Sequence, residues 1–163
     1  MIEGLIIAAI MLCILTIIAH WIVFYKNKKQ NIVSFRETFD LTNLPIITFY
    51  QGHHKLNFLL DSGSDMCHIN KAILPCLIYK VQEDKRNLSG VGEGSQICNV
   101  VNMDISYHGV HFNSNFLASD LTDTFEMIKQ DTGIQLHGIL GCQFFDDYKY
   151  IIDFREMIFY SKK

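Results

Sequence analysis

The chain has 163 residues, a formal net charge of −3 and a 49% share of hydrophobic residues. This length fits one domain of roughly 100–150 residues with an appendage, and not two full domains. The weak acidity argues against a nucleic-acid-binding protein, which normally carries a basic patch, and a content of two prolines and ten glycines excludes collagen-like and low-complexity chains.

The first predicted element is an apolar helix over 4–25, which contains no Asp, Glu, Lys or Arg. A helix of this length spans about 33 Å at about 1.5 Å per residue, enough for the hydrocarbon core of a bilayer. We therefore predict a single transmembrane helix within 1–25. The alternative is a cleaved signal peptide, which favours a basic start and a shorter apolar core, whereas this chain begins Met1-Ile2-Glu3.

Charges on either side of the apolar run predict its orientation. Glu3 precedes the run, and three lysines follow it directly within 26–29. Because Lys and Arg are retained on the cytoplasmic side, we expect a single-pass membrane protein whose soluble part lies in the cytoplasm. The polar segment 26–40 is interpreted as a juxtamembrane linker, which places the soluble domain at 41–163.

The soluble part has the pattern of many short strands. Two hairpins are predicted from β-branched, aromatic or alternating residues, one from 46–50 and 55–60 and one from 100–107 and 111–117. The turns between their strands are expected at Gln51-Gly52 with the two histidines that follow, and at His108-Gly109.

Two short helices and two final strands complete the predicted elements. Asp120 is a capping residue for a helix over 121–130, which Gly133 ends. A second helix is expected over 141–148, followed by strands over 150–153 and 157–160. Many short strands with one or two short helices predict a mainly β, barrel-like domain.

The sharpest local motif is Asp61-Ser62-Gly63-Ser64, which directly follows the apolar strand residues 58–60. Gly63 permits a tight turn that a side chain would block. The hydroxyls and backbone N–H groups of the loop can then point at the carboxylate, which its apolar flanks leave partly desolvated and in need of donors. Taken alone, Asp-Ser-Gly is also a common surface turn, so the triplet by itself leaves both interpretations open.

Three motifs in this order resemble those of the retropepsin-like, single-lobed aspartic proteases. They are the Asp61 loop, the segment Gly138-Ile139-Leu140-Gly141 and the apolar strands within 150–160. In that family an Asp-Ser/Thr-Gly loop carries the catalytic aspartate, and a later Ile-Leu-Gly segment crosses behind it and begins a short helix. The resemblance covers about 44–160 and implies a closed-barrel acid-protease fold.

The resemblance also implies roles for individual residues. Asp61 would be the catalytic aspartate, Ser62 the residue whose hydroxyl bonds across a pair of loops, and Gly63 the turn glycine. Ser64 would donate its hydroxyl to the aspartate. The segment that resembles the flap over the substrate contains Gly90, Val91, Gly92 and Gly94, and the supporting second loop contains Ile139, Leu140 and Gly141.

A second triplet, Asp131-Thr132-Gly133, follows polar residues and lies only eight residues before Ile139. That spacing is too short for a second lobe, so we interpret the triplet as a turn that ends a helix. One usable aspartate per chain then implies a homodimer in which the two copies of Asp61 face each other across a two-fold axis.

These inferences together predict a membrane-anchored, homodimeric aspartic endopeptidase in which two Asp61 carboxylates activate a water molecule. Such an enzyme needs no metal or organic cofactor and no nucleic acid. Its expected partners are a second copy of the chain, a peptide or protein substrate, and the membrane. Two alternatives stay open: an inactive binding or dimerisation module that keeps the fold, and a membrane-bound regulatory subunit.

Overall fold

The structure is a computed structural model that describes residues 11–20, 31–89 and 95–161. Over these ranges the chain is mainly β, as predicted. The strands are β1 (Asn31–Ser34), β2 (Ile46–Gln51), β3 (His54–Leu60), β4 (His68–Asn70), β5 (Lys80–Ser89), β6 (Ser95–Tyr107), β7 (Val110–Ser119), β8 (Gly138–Leu140), β9 (Tyr150–Asp153) and β10 (Ile158–Ser161). The helices are α1 (11–20), α2 (Arg36–Thr42), α3 (Thr122–Thr132) and α4 (Cys142–Asp147), with a 3-10 helix over Lys71–Cys76.

Six of the strands form a closed barrel. Neighbouring strands pair in the order β2-β3-β8-β4-β7-β6, and a pairing of β2 with β6 at Tyr50 and Ser106 closes the ring. β5 continues the sheet beyond β6. The expected mainly β, barrel-like architecture with short helices is therefore confirmed. Closure matters because it pairs the edge of β2 that an open sheet would leave exposed.

Aromatic side chains fill the barrel. Phe49, Phe58, Phe112 and Phe144 are each at most 2% exposed. The ring centroid of Phe49 lies 5.8 Å from that of Phe58 and 5.6 Å from that of Phe112, both edge to face. The Phe144 ring of α4 lies 5.3 Å from the Phe112 ring. Such pairs contribute about 0.5–1.5 kcal/mol each beyond area burial, and the contact of Phe144 with Phe112 holds α4 against the barrel.

The predicted turns and helix end are confirmed in position. β2 pairs with β3 and β6 pairs with β7, both antiparallel. The second turn places His108 and Gly109 at φ 48° and 80°, as a tight two-residue hairpin turn requires. α3 ends at Gly133 in the left-handed conformation. Asp120 accepts a bond from the Thr122 N–H at 3.4 Å, although it lies one residue before the cap position.

The segment interpreted as a linker, 26–40, is folded from Asn31 onward. β1 pairs with β10, which also pairs with β9, to form a separate three-stranded sheet that we call the terminal sheet. Val33 and Phe35 are each 1% exposed, so the folded domain begins before residue 41 and the linker interpretation is corrected. A four-residue strand and a short charged helix are too brief for periodicity to reveal.

α1 is the described part of the predicted membrane span. Its large apolar side chains are exposed, with Leu12 and Ile17 each at 66%. Within the described ranges, no helix is both long enough and apolar enough to cross a membrane. The rest of the predicted span, at 4–10 and 21–25, lies outside the described residues, so the anchor stays a prediction.

Candidate active site

Asp61 lies at the end of a strand that is paired on both sides. β3 is antiparallel to β2 and parallel to β8, and the Asp61 N–H extends the second ladder by donating to the Leu140 carbonyl at 3.0 Å. Leu60 and Leu140 are buried, while Asp61 and Ile139 are half-buried. The sheet therefore determines the position and direction in which the aspartate leaves the strand.

A tight turn after β3 brings a backbone donor to the carboxylate. The Gly63 N–H donates to Asp61 Oδ1 at 2.8 Å, and the Ser64 N–H donates to the backbone carbonyl of Asp61 at 3.2 Å. A Cβ added to Gly63 would lie only 3.1 Å from Asp61 Oδ1. The absence of a side chain at this position thus allows the carboxylate to fold back over its own loop, as the sequence predicts.

The two serines of the loop have different contacts. The Ser64 hydroxyl donates to the Met66 carbonyl at 2.8 Å rather than to the Asp61 carboxylate, which corrects the expected role of this side chain. Ser64 supports the loop by holding its backbone. Ser62 is exposed, and its carbonyl accepts a bond from Cys142 Sγ at 3.1 Å. The predicted bond of the Ser62 hydroxyl to a second loop stays a prediction.

β8 and the glycine after it cross directly behind the loop. β8 pairs with β3 on one side and with β4 on the other. At its end, the Cys142 N–H donates to the Ser64 carbonyl at 2.8 Å and the Gln143 N–H donates to the Asp65 carbonyl at 2.9 Å. Because the first N–H groups of a helix have no partner within the helix, the loop and α4 satisfy each other and form one unit.

Two glycines make this close crossing possible. A Cβ at Gly141 would overlap the carbonyl oxygen of Met66, and a Cβ at Gly138 would overlap the carbonyl oxygen of His68. The His68 carbonyl belongs to the paired strand β4, and the Met66 carbonyl accepts the Ser64 hydroxyl, so both backbone atoms have little freedom to move aside. The predicted second loop thus meets the aspartate loop in space, although the two are about 80 residues apart in the chain.

His68 is a buried polar residue behind the loop, on β4. It is 6% exposed, and its Nδ1 lies 3.0 Å from Ser119 Oγ. Burial lowers the pKa of His68, while the charges of Asp65 and Asp61 act in the opposite direction. Its burial and its bond to β7 indicate a structural role in joining β4 to β7.

His137, the residue directly before β8, bonds to Asn57 of β3. Its imidazole Nδ1 accepts the Asn57 N–H at 3.0 Å, and its backbone N–H donates to the Asn57 carbonyl at 2.8 Å. Burial lowers the pKa of His137. Since Nδ1 must be unprotonated to accept a bond, the neutral imidazole is the form that stabilises this part of the site.

The predicted flap corresponds to the connection between β5 and β6. These strands pair antiparallel as far as Ser89 and Ser95. The flap residues Gly90, Val91, Gly92 and Gly94 all lie outside the described residues. Their role over a substrate stays a prediction.

The second triplet has a different setting, as the sequence predicts. It lies at the end of α3, where Asp131 is exposed. The Thr132 hydroxyl donates to the Ile128 carbonyl at 2.7 Å, and the Gly133 N–H donates to the Lys129 carbonyl at 2.7 Å. These bonds all return into the helix, so this triplet is a helix-ending turn.

Two of the cavities lined by described residues lie elsewhere on the domain. One of about 320 Å³ lies between α2 and β2, beside Tyr107, and one of about 340 Å³ lies beside Ile78 and Met103. Neither is lined by residues 61–64. Within the part of the chain that the structure describes, no group of three or more His, Cys, Asp or Glu side chains could hold a metal ion.

Comparison with known proteins finds no matching family model and no matching curated protein. Among solved structures, EIAV protease complexed with an inhibitor is similar over 64% of this chain and 86% of that chain. The sequence identity is 23% and the TM-score is 0.44. At this level the likeness carries no conclusion about activity.

Proposed function

We propose that this chain is an aspartic endopeptidase of retropepsin-like fold that is active as a homodimer. The observation that carries the proposal is the setting of Asp61. Its half-buried carboxylate accepts the Gly63 N–H at the end of a doubly paired strand. The β8 segment then crosses behind the loop, in agreement with the first two of the three motifs of the sequence resemblance. A surface turn would need neither the paired strand nor the close crossing at Gly141.

The proposed reaction needs two copies of Asp61. Two carboxylates about 3 Å apart cannot both ionise, so the pair holds one proton. The ionised member takes a proton from a bound water as that water attacks the scissile carbonyl carbon, and the protonated member donates to the carbonyl oxygen. Collapse of the tetrahedral intermediate breaks the C–N bond. One member of the pair donates its proton to the leaving amine and the other takes a hydroxyl proton from the intermediate, which releases the acid product and leaves the pair with one proton again. The substrate is a peptide or protein, and no cofactor takes part.

Two features of the chain support the dimer. Of the two triplets in this sequence, only the Asp61 loop follows a strand, since Asp131 ends a helix, so we assign the second carboxylate to a second copy of the chain. Ser62 is exposed next to Asp61, which leaves its hydroxyl accessible to the loop of a partner. A two-fold axis beside this loop would bring the two carboxylates together.

We further propose that residues 4–25 anchor the enzyme in a membrane, with the domain on the cytoplasmic side. The support is the uncharged apolar run and the lysines that follow it within 26–29. Only residues 26–30 separate this run from β1. An anchor of this kind confines the chains to a surface and raises their effective concentration for dimerisation.

The test is cleavage of a peptide library by the full chain in detergent micelles. We expect Asp61→Asn to abolish cleavage while the variant stays folded and dimeric, and Asp131→Asn, the matched control, to cleave like wild type. Equal inactivity of wild type and Asp61→Asn, with the dimer intact, would favour the binding-module alternative. Activity that depends on neither aspartate would reject the proposal.

A further inference from the structure

The terminal sheet has an exposed apolar row on its outer face. The strand registers align Ile32 with Tyr160 and Tyr160 with Ile151. Directly opposed residues in antiparallel strands lie on the same side of a sheet, so these three side chains form one row. Ile32 and Ile151 are 39% and 42% exposed, and Tyr160 is half-buried. We call these three residues the outer row.

The opposite face of the same sheet is already used by the core. Val33 and Phe159 are at most 1% exposed, and Ile152 packs against the main hydrophobic cluster. An antiparallel sheet with one buried face normally has polar residues on the other. The apolar outer row on the solvent side departs from this pattern, and its significance depends on where the sheet lies in the chain.

The position of the terminal sheet in the chain indicates which surface the outer row contacts. Asn31 pairs with Ser161, so the chain enters β1 and leaves β10 at the same end of the sheet. In the sequence, three lysines lie within 26–29, just before β1, and Lys162 and Lys163 directly follow β10. The apolar run that ends at residue 25 is thus only a few residues from the outer row, and five lysines flank the row in the sequence.

We propose that the outer row docks the domain on an anionic lipid surface. Isoleucine side chains suit the boundary between headgroups and acyl chains, and a tyrosine ring suits the membrane–water interface. Clustered lysines next to a membrane span attract anionic lipids. The docking extends the proposed anchor by assigning the face that meets the bilayer, and it is independent of the peptidase reaction.

The size of the outer row favours lipid over a second copy of the chain. Three partly exposed side chains offer on the order of 200 Å² of surface, whereas a stable protein–protein interface buries about 800 Å² on each partner. A membrane-tethered domain needs far less area, because the tether supplies most of the effective concentration.

The test uses the full chain in lipid nanodiscs, either of phosphatidylcholine alone or with added phosphatidylserine. Amide hydrogen exchange is measured over β9 and β10. We expect several-fold slower exchange in the anionic discs, and loss of that protection at high salt because lysine–lipid attraction is screened. Ile32→Ser with Ile151→Ser should abolish the lipid-dependent protection. Met127→Ser, which changes an apolar side chain 61% exposed on α3, should retain it.

Equal exchange in neutral and anionic discs would overturn the proposal. Protection that appears only when two or more chains share a disc would also overturn it, since the outer row would then belong to a dimer contact. Ile151→Ser alone serves as a milder variant if the double change unfolds β1. Peptide cleavage in detergent should be unchanged in these variants, so failure of docking and failure of the proposed peptidase activity can be told apart.

Discussion

The two Asp-Ser/Thr-Gly triplets of this chain have the same chemistry and opposite surroundings. Asp61 ends a strand that is paired on both sides, and its carboxylate accepts the Gly63 N–H. Asp131 lies in the last turn of α3, where the bonds of the next two residues return into the helix. The residues that flank a triplet, and not the triplet itself, therefore decide what it becomes.

The glycines of the two triplets, Gly63 and Gly133, show the same contrast. Gly63 is needed for close approach, because a Cβ there would press against the Asp61 carboxylate. Gly133 is needed for its left-handed backbone, with φ 75° and no atom within 4 Å of an added Cβ. The apolar strand before Asp61 requires burial in the barrel, whereas Lys129 and Gln130 before Asp131 favour an exposed helix end.

The largest effect is expected from Gly141→Ala. The new Cβ would overlap the Met66 carbonyl oxygen and force apart the crossing behind Asp61, which we expect to cost about 3 kcal/mol of unfolding free energy. The matched change Gly133→Ala meets no neighbouring atom and costs about 1 kcal/mol through its backbone conformation alone. Urea unfolding of both variants measures the difference, and equal losses would contradict the close crossing.

A smaller effect, on the cleavage rate, is expected from substitution of Cys142, whose thiol bonds to the first triplet and not to the second. Its thiol donates to the Ser62 carbonyl at 3.1 Å, so Cys142→Ala should lower the cleavage rate by up to about tenfold through a looser loop. Cys142→Ser keeps a donor and should restore most of the rate. Cys76→Ala is the control, since Cys76 is also exposed but lies on the 3-10 helix. A serine variant as slow as the alanine variant would argue against the hydrogen bond.

The smallest effect is a change in the pH dependence of stability at His137. Its lowered pKa in the folded state means that the unfolded chain binds the proton first as the pH falls. The stabilisation by the neutral imidazole is therefore complete above about pH 6.5, its unfolded value, and is lost progressively at lower pH.

The measurement for this prediction is the unfolding free energy of wild type and His137→Asn at several pH values between 5 and 7.5. Asparagine keeps an acceptor for the Asn57 N–H but does not titrate, so the variant should lose less stability on acidification. The buried His68 contributes in the same direction in both proteins and cancels in the comparison. Identical pH slopes would show that His137 does not titrate on unfolding.

Local features of the sequence predict the hairpins and helix ends well. The turn dipeptide His108-Gly109 lies between two strand patterns, and Gly133 follows an amphipathic helix, so each boundary has a nearby physical cause. The same holds for Asp61 and Gly63, where the apolar strand and the turn glycine are adjacent in the chain.

Long-range and very short features could not be predicted in this way. The pairing of β8 with β3 joins segments about 80 residues apart and its pairing with β4 joins segments about 70 apart, and no local pattern encodes either. β1 is only four residues long and lies in a charged segment, so periodicity does not predict it. The motif predicts donation by the Ser64 hydroxyl to the Asp61 carboxylate, whereas its bond to the Met66 carbonyl depends on a backbone path that the motif does not specify.

The central claim is that one active site contains Asp61 from two chains, and subunit mixing tests it most directly. Wild-type chains are equilibrated with Asp61→Asn chains at constant total concentration, and peptide cleavage is measured against the wild-type fraction. If both carboxylates are needed, activity falls as the square of that fraction, to about one quarter in an equal mixture. Activity that falls in direct proportion, to about one half, would show that each chain works with its own Asp61 alone and would contradict the account.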